Sequence, residues 1–193
     1  MSKANTLSGE DRIHRIQVGA SVTKWAILLC TLSVLFFWAE DGLSILFPTH
    51  PFFEDAASMD IGDRERSFAE MPLNQRLPLL ALATVSYSLL AGITLSLFLV
   101  CLRFQAADFF SRRSWDSVFY SGVWFISFAV FNVAASPIAT YVATLDYPEN
   151  ERSIDVAFSH HEIFALILGA LLLLLGWVMR EAALLAEENR QII

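Results

Sequence analysis

"LLALATVSYSLLAGITLSLFLVCL", Leu79–Leu102, runs for 24 residues without a charged side chain. The hydrocarbon core of a bilayer is about 30 Å thick, and a helix rising about 1.5 Å per residue crosses it in about 20 mostly apolar residues. The stretch therefore predicts a transmembrane helix, and two further runs behave in the same way. Ser117–Leu145 has 29 uncharged residues, and Ile163–Met179 has 17, extended toward the interface by His160 and His161. The remaining apolar run, "WAILLCTLSVLFFWA" at Trp25–Ala39, has 15 residues and is short for a span. It becomes long enough, at about 22 residues from Val18, if Lys24 snorkels and "VGASVT" is included. It ends in Phe-Phe-Trp-Ala-Glu-Asp rather than in a small-residue cleavage site, which argues against a cleaved signal peptide.

The expected fold is all-α. It is a four-helix transmembrane bundle with spans at about 18–39, 79–102, 117–142 and 160–180, an acidic outer loop at 40–78 and a helical tail at 181–193. Composition agrees, since 55% hydrophobic and 17% charged residues, with 16 Phe and 5 Trp, are too apolar for a soluble domain of this length. The net charge of -7 and the lack of a Lys/Arg cluster argue against nucleic acid or anionic lipid as a direct partner.

Charge asymmetry orients the spans. The side holding residues 1–24, 103–116 and 180–193 carries nine Lys or Arg, whereas the side holding 40–78 and 146–162 carries four, Arg64, Arg66, Arg76 and Arg152. The positive-inside rule then places both termini of a multi-pass membrane protein in the cytoplasm. Cys30 and Cys101 form no C-x-x-C pair and read as packing residues.

The outer loop opens with "GLSILFPTHPFF", which suits a segment in the interface, and continues as a polar, acidic stretch with one short helix expected around Arg64–Met71. Its apolar content is too low to fold alone, so it should pack on the helix ends.

"FSHHEIF" is the most site-like motif. His160 and His161 are the metal or pH-sensing candidates, with Asp155 or His50 as helpers, but adjacent residues on a helix point about 100° apart. Ser159 followed three residues later by Glu162 reads better as a capping box. Spans two, three and four hold no Asp, Glu, Lys, Arg or His between their ends, which argues against a pump or proton-coupled transporter.

Small and hydroxyl residues recur four apart, as Thr84, Ser88, Gly92 and Ser96 and as Asn132, Ser136 and Thr140. Helix packing explains this spacing. A sharper reading is a polar intramembrane face formed by Ser88, Gly92, Asn132 and Ser136. Its cavity would lie near Tyr87, Asn132 and Tyr141, where Pro137 frees the carbonyl of Val133.

In "LRFQAADFFSRRSWDSVF", Ser111 or Ser114 can cap the third span, Phe110 and Trp115 suit interface depth, and Arg112 and Arg113 fix the cytoplasmic side. If the last helix continues past Arg180, then Val178, Ala182, Leu185, Asn189 and Ile192 line one face, with Glu181, Glu187, Glu188 and Arg190 largely off it. A frayed, solvated extension is the plainer alternative. No Walker loop, G-x-S-x-G or H-E-x-x-H occurs, and neither enzymatic activity nor a cofactor is expected.

The tail "MREAALLAEENRQII" and the hairpin "RFQAADFFSRRSWDSV" resemble the bacterial membrane family catalogued as domain of unknown function 2975. The resemblance covers the chain best from about Leu79 onward. Two departures stand out: Ala-Asp precedes Phe109-Phe110 where a Gly-containing turn is common, and the chain ends in Gln191-Ile192-Ile193 rather than Leu-Thr-Val/Ile. The resemblance implies a four-span protein of a bacterial inner membrane, often encoded beside a small helix-turn-helix regulator, with partner docking on the cytoplasmic surface.

The leading expectation is a non-enzymatic inner-membrane regulatory or scaffold protein holding a cytoplasmic partner through Arg112, Arg113, Leu185, Glu188, Asn189 and Ile192. An accessory subunit of a larger membrane complex and a small-molecule channel or transporter are the alternatives. Membrane lipid, a cytoplasmic protein and a second copy of the chain are the partners left open.

Overall fold

The computed structural model describes residues 9–53, 58–61, 64–108, 111–149, 152, 154 and 159–191. Four long helices dominate: α1 Gly9–Leu46, α2 Leu73–Gln105, α3 Arg112–Ala143 and α4 His160–Gln191. Each is long and apolar enough to cross a membrane. Every helix overruns the apolar run that predicts it, because neither the polar flanks nor Pro78 inside α2 and Pro137 inside α3 stop it. Residues 40–46 and 73–78, expected in a loop, are therefore helical.

The expected short helix around Arg64–Met71 is replaced by a hairpin and a single 3-10 turn. Strand β1, Ser58–Ile61, pairs antiparallel with β2, Arg64–Ser67, placing Met59 opposite Arg66 and Ile61 opposite Arg64. Phe68–Glu70 form the 3-10 turn, with the Ser67 hydroxyl accepting from the Ala69 amide. Ile61, Phe68 and Met71 then join Ile45, Leu79 and Ala143 in one buried cluster. The loop acquires its core by packing on the ends of α1, α2 and α3, as its low apolar content requires.

The helices pack in sequence order, α1 on α2, α2 on α3 and α3 on α4. Different chemistry holds each contact. Lys24 Nζ donates to Gln105 Oε1 at 3.2 Å and Gln17 Nε2 to the Gln105 carbonyl at 3.1 Å, tying α1 to the end of α2. Between α2 and α3, a Cβ on Gly92 would lie 2.7 Å from the Trp124 ring, so the indole occupies the space a side chain would need. Between α3 and α4 the backbones themselves meet. A Cβ on Gly122 would stand 2.7 Å from the Gly169 carbonyl oxygen and 2.8 Å from the Leu173 amide nitrogen, and one on Gly176 would stand 3.0 Å from the Phe119 backbone. Ser121 and Ala129 of α3 and Ala165 of α4 are buried as well. Leu29, Phe36, Phe164 and Leu171 are among the large apolar side chains left on the outside of the helices.

The turn between α2 and α3 is made without glycine. Ala107 has φ 55°, and the amides of Ala107 and Asp108 reach back to the carbonyls of Phe104 and Arg103 at 3.2 and 3.1 Å. This is a Schellman cap, whose left-handed residue is usually glycine. The Ser111 hydroxyl then caps α3 by accepting from the Ser114 amide at 3.3 Å.

Candidate functional site

All four helices border one cavity of about 560 Å³ at the hairpin end of the molecule. Along α2 its lining runs from Leu79 to Leu90, about 16 Å at the helical rise. Most of the wall is apolar: Met59 and Phe68 come from the loop, Leu82 and Ala83 from α2, and Phe128 and Phe131 from α3.

Polar groups enter it from every helix. From α1, Asp41 accepts a hydrogen bond from the Tyr87 hydroxyl of α2, with Oδ2 at 2.5 Å. Tyr87 lies eight residues, about 12 Å, inside the uncharged run that begins at Leu79. Next to it, Ser86 Oγ donates to Asn132 Oδ1 of α3 at 2.9 Å, and Asn132 Nδ2 donates to the Phe128 carbonyl at 2.8 Å. Ser136 completes the α3 contribution. From α4, Glu162 accepts from the Ser159 amide at 2.8 Å and from its hydroxyl, while Ser159 Oγ accepts from the His161 amide at 3.2 Å. This is the expected capping box, and it brings a carboxylate to the cavity wall. Among the described residues, no Lys or Arg lines the cavity.

A clamp holds the loop against this end. Arg66, only 4% exposed, donates from Nη1 to Asp146 Oδ1 at 2.9 Å, from Nη2 to Asp146 Oδ2 at 2.6 Å, and from Nη1 to the Ala143 carbonyl. Its guanidinium lies 4.6 Å from the centre of the Tyr147 ring, and Gln75 Nε2 donates to Asp146 at 3.1 Å. The guanidinium hydrogen bonds hold the Asp146 carboxyl down at about 2, and the same pairing raises Arg66 above its ordinary value. Arg76 is occupied by the Met71 carbonyl at 2.7 Å and Arg152 by that of Tyr147 at 3.2 Å.

The expected polar face is divided. Asn132 and Ser136 line the cavity, but Ser88 is exposed and bonded to the Thr84 carbonyl at 2.7 Å, and Gly92 lies beneath Trp124. Ser86 takes the place expected of Ser88. Tyr141 is 41% exposed and does not line the cavity. His160 and His161 stand exposed at the start of α4, and His50 stacks on Phe52 with ring centroids 5.5 Å apart. No group of three or more His, Cys, Asp or Glu that could hold a metal occurs among the described residues. Asp155 lies outside them. Cys101 is buried, but Cys30 is on the exposed side of α1 and does not pack as expected.

At the other end, Arg112 and Arg113 are exposed, and Trp115 lies under the Arg180 guanidinium at 5.5 Å. The last helix does continue past Arg180, with Leu184 at 46% and Leu185 at 59% exposure. Glu188 is exposed, whereas the Asn189 side chain, Ile192 and Phe110 lie outside the described residues.

Sequence reasoning overlooked Asp41 and Arg66. Asp41 sits just past the apolar run, where the sequence predicts a loop, although it falls about four turns beyond Trp25 on the same helix. Arg66 had no sequence signal beyond its charge. Compared with protein-family models, curated proteins and solved structures, the chain gives no match in any of the three.

Proposed function

We propose that this chain is a non-enzymatic regulatory or scaffold protein of a bacterial inner membrane, with both termini cytoplasmic, that holds a cytoplasmic protein partner. Arg112, Arg113 and the extension of α4 supply the docking surface. One observation carries the reading. Helix α4 borders the cavity at Glu162 and runs unbroken to Gln191, about 17 Å beyond Arg180, where Leu184 and Leu185 are uncovered. A single helix thus connects a cavity at one end with an amphipathic surface at the other. The excess of Lys and Arg on the side of the termini supports the orientation. The resemblance in hairpin and tail supports a helix-turn-helix regulator as the partner to test first.

An accessory subunit would pack a small-residue helix face against its larger complex, and the candidate Gly92 is already covered by Trp124 within the chain. Crosslinking in cells of the full chain beside a version ending at Arg180 decides between the two. The docking reading expects a soluble partner that is captured by the full chain and lost with the tail. Identical lists containing only membrane proteins would overturn it.

A further inference from the structure

We infer that the cavity at the hairpin end is a binding site for an organic monocation with an apolar, preferably aromatic, body. Its size, about 560 Å³, is that of a small-molecule site rather than a packing gap. Its wall is apolar with a few convergent polar groups, which is the ordinary composition of such sites.

Charge selects the ligand class. Asp41 and Glu162 enter from opposite ends of the helix order, and each uses one carboxylate oxygen within the protein: Oδ2 of Asp41 for Tyr87 and Oε2 of Glu162 for Ser159. The hydrogen bonds of both carboxylates to the described residues fall on those oxygens alone, and both residues line the cavity. Among the described residues no Lys or Arg lines the cavity, and Arg66, Arg76 and Arg152 are held by Asp146 and by backbone carbonyls. An anion would face two carboxylates in a wall of low dielectric, where like charges repel most strongly. A neutral apolar molecule would strip water from two carboxylate oxygens without replacing it.

A metal ion fits no better. The described residues offer no third His, Cys, Asp or Glu, and a hard divalent cation needs about six oxygen ligands. A quaternary ammonium or phosphonium group needs none of these, being satisfied by diffuse negative charge and aromatic faces. Phe68, Phe128, Phe131 and Tyr87 supply the faces, and the carboxylates supply the charge.

The site stands on its own lining and does not depend on partner docking by the tail. Two tetrahedral aryl ions of matched shape and opposite charge, tetraphenylphosphonium and tetraphenylborate, provide the test. Equilibrium dialysis is run on the full chain in phosphatidylcholine nanodiscs, with empty nanodiscs measuring partition into lipid. Saturable binding of the phosphonium at about one per chain, with the borate no higher than in empty discs, is the expected result. Asp41→Asn and Glu162→Gln should each weaken phosphonium binding by about tenfold. Ala135→Phe adds bulk to the cavity from α3 while both carboxylates are retained, and should remove saturable binding. Equal uptake of the two ions, uptake no greater than in empty discs, or binding unaffected by Ala135→Phe would each overturn the inference. The comparison of ions on the unaltered chain needs no variant, so a misfolded mutant does not blunt it.

Discussion

Arg66 and Asp146, eighty positions apart, meet as a two-point ion pair with N–O distances of 2.9 and 2.6 Å. The pair is asymmetric: the guanidinium is 4% exposed and the carboxylate side chain 37%. Loss of the carboxylate leaves a buried cation beside the Ala143 carbonyl and the Tyr147 ring, with the charge of Glu70 as weaker support. Asp146→Ala should therefore release the β1–β2 hairpin from the ends of the helices at a cost of about 2 kcal/mol, below the 3–5 typical of fully buried pairs because one partner is in solvent. Amide exchange over Ser58–Ser67 should rise, while exchange within α3 between Val118 and Ala129 stays as it was. Unchanged hairpin protection would mean that the apolar cluster alone holds it.

The same pair sets an acid limit. The Asp146 carboxyl is depressed in the folded chain, to about 2 from an ordinary 3.8, so its contribution to stability is fully present above about pH 4. It declines as pH falls from there and is lost as pH passes through about 2. Hairpin protection followed by exchange should accordingly be flat from pH 7 to about pH 4 and fall below it. In Asp146→Asn the dependence attributable to this group should vanish, leaving a lower level at neutral pH.

A backbone prediction comes from the α2–α3 turn. Ala107 holds φ 55°, a conformation that costs an L-residue about 1–2 kcal/mol. Ala107→Gly relieves that strain but gives the unfolded chain more freedom, so the net gain should be about 1 kcal/mol. Thermal denaturation in detergent should show a higher midpoint. The reversed sign would mean that the turn relaxes elsewhere.

The spans were legible because an uncharged run of 24 residues has few alternatives, and the Ser159/Glu162 cap because its spacing is local. Helix ends were less legible. Pro78 and the polar Asn74–Arg76 look like a loop, yet α2 begins at Leu73 and carries Pro78 as an interior proline, whose missing N–H forfeits one hydrogen bond without ending the helix. The hairpin did carry a signal: Gly62-Asp63 separates two four-residue runs, and Met59 and Ile61 alternate with polar neighbours. The wholly polar "RERS" hid it, because Arg66 is buried through an ion pair rather than through hydrophobicity. The cavity was half legible. Asn132, Ser136 and Tyr87 were in view, but Asp41 and Glu162 reach it only through the packing order of the helices.

That packing order makes the last prediction a contrast between glycines. Gly122, Gly169 and Gly176 sit where α3 and α4 touch backbone to backbone, and the atoms nearest an added Cβ on Gly122 include a carbonyl oxygen and an amide nitrogen of α4. Backbone atoms of a packed helix cannot rotate aside as a side chain can. Gly122→Val should therefore force the two helices apart and cost about 3 kcal/mol or more, the upper range for overpacking. At Gly19 nothing lies within 4 Å of the added Cβ, and Gly19→Ala should raise stability by about 1 kcal/mol through helix propensity alone. Gly92→Leu falls between, because its obstacle is the ring of Trp124 on α3, a side chain that has other rotamers. Thermal melts of the three variants in one detergent should rank Gly19→Ala highest, Gly92→Leu next and Gly122→Val lowest. If Gly122→Val instead melted with the unaltered chain, the α3–α4 contact would have to be looser than 2.7 Å allows. The unbroken link from the cavity to the tail would then lose its anchorage on α3.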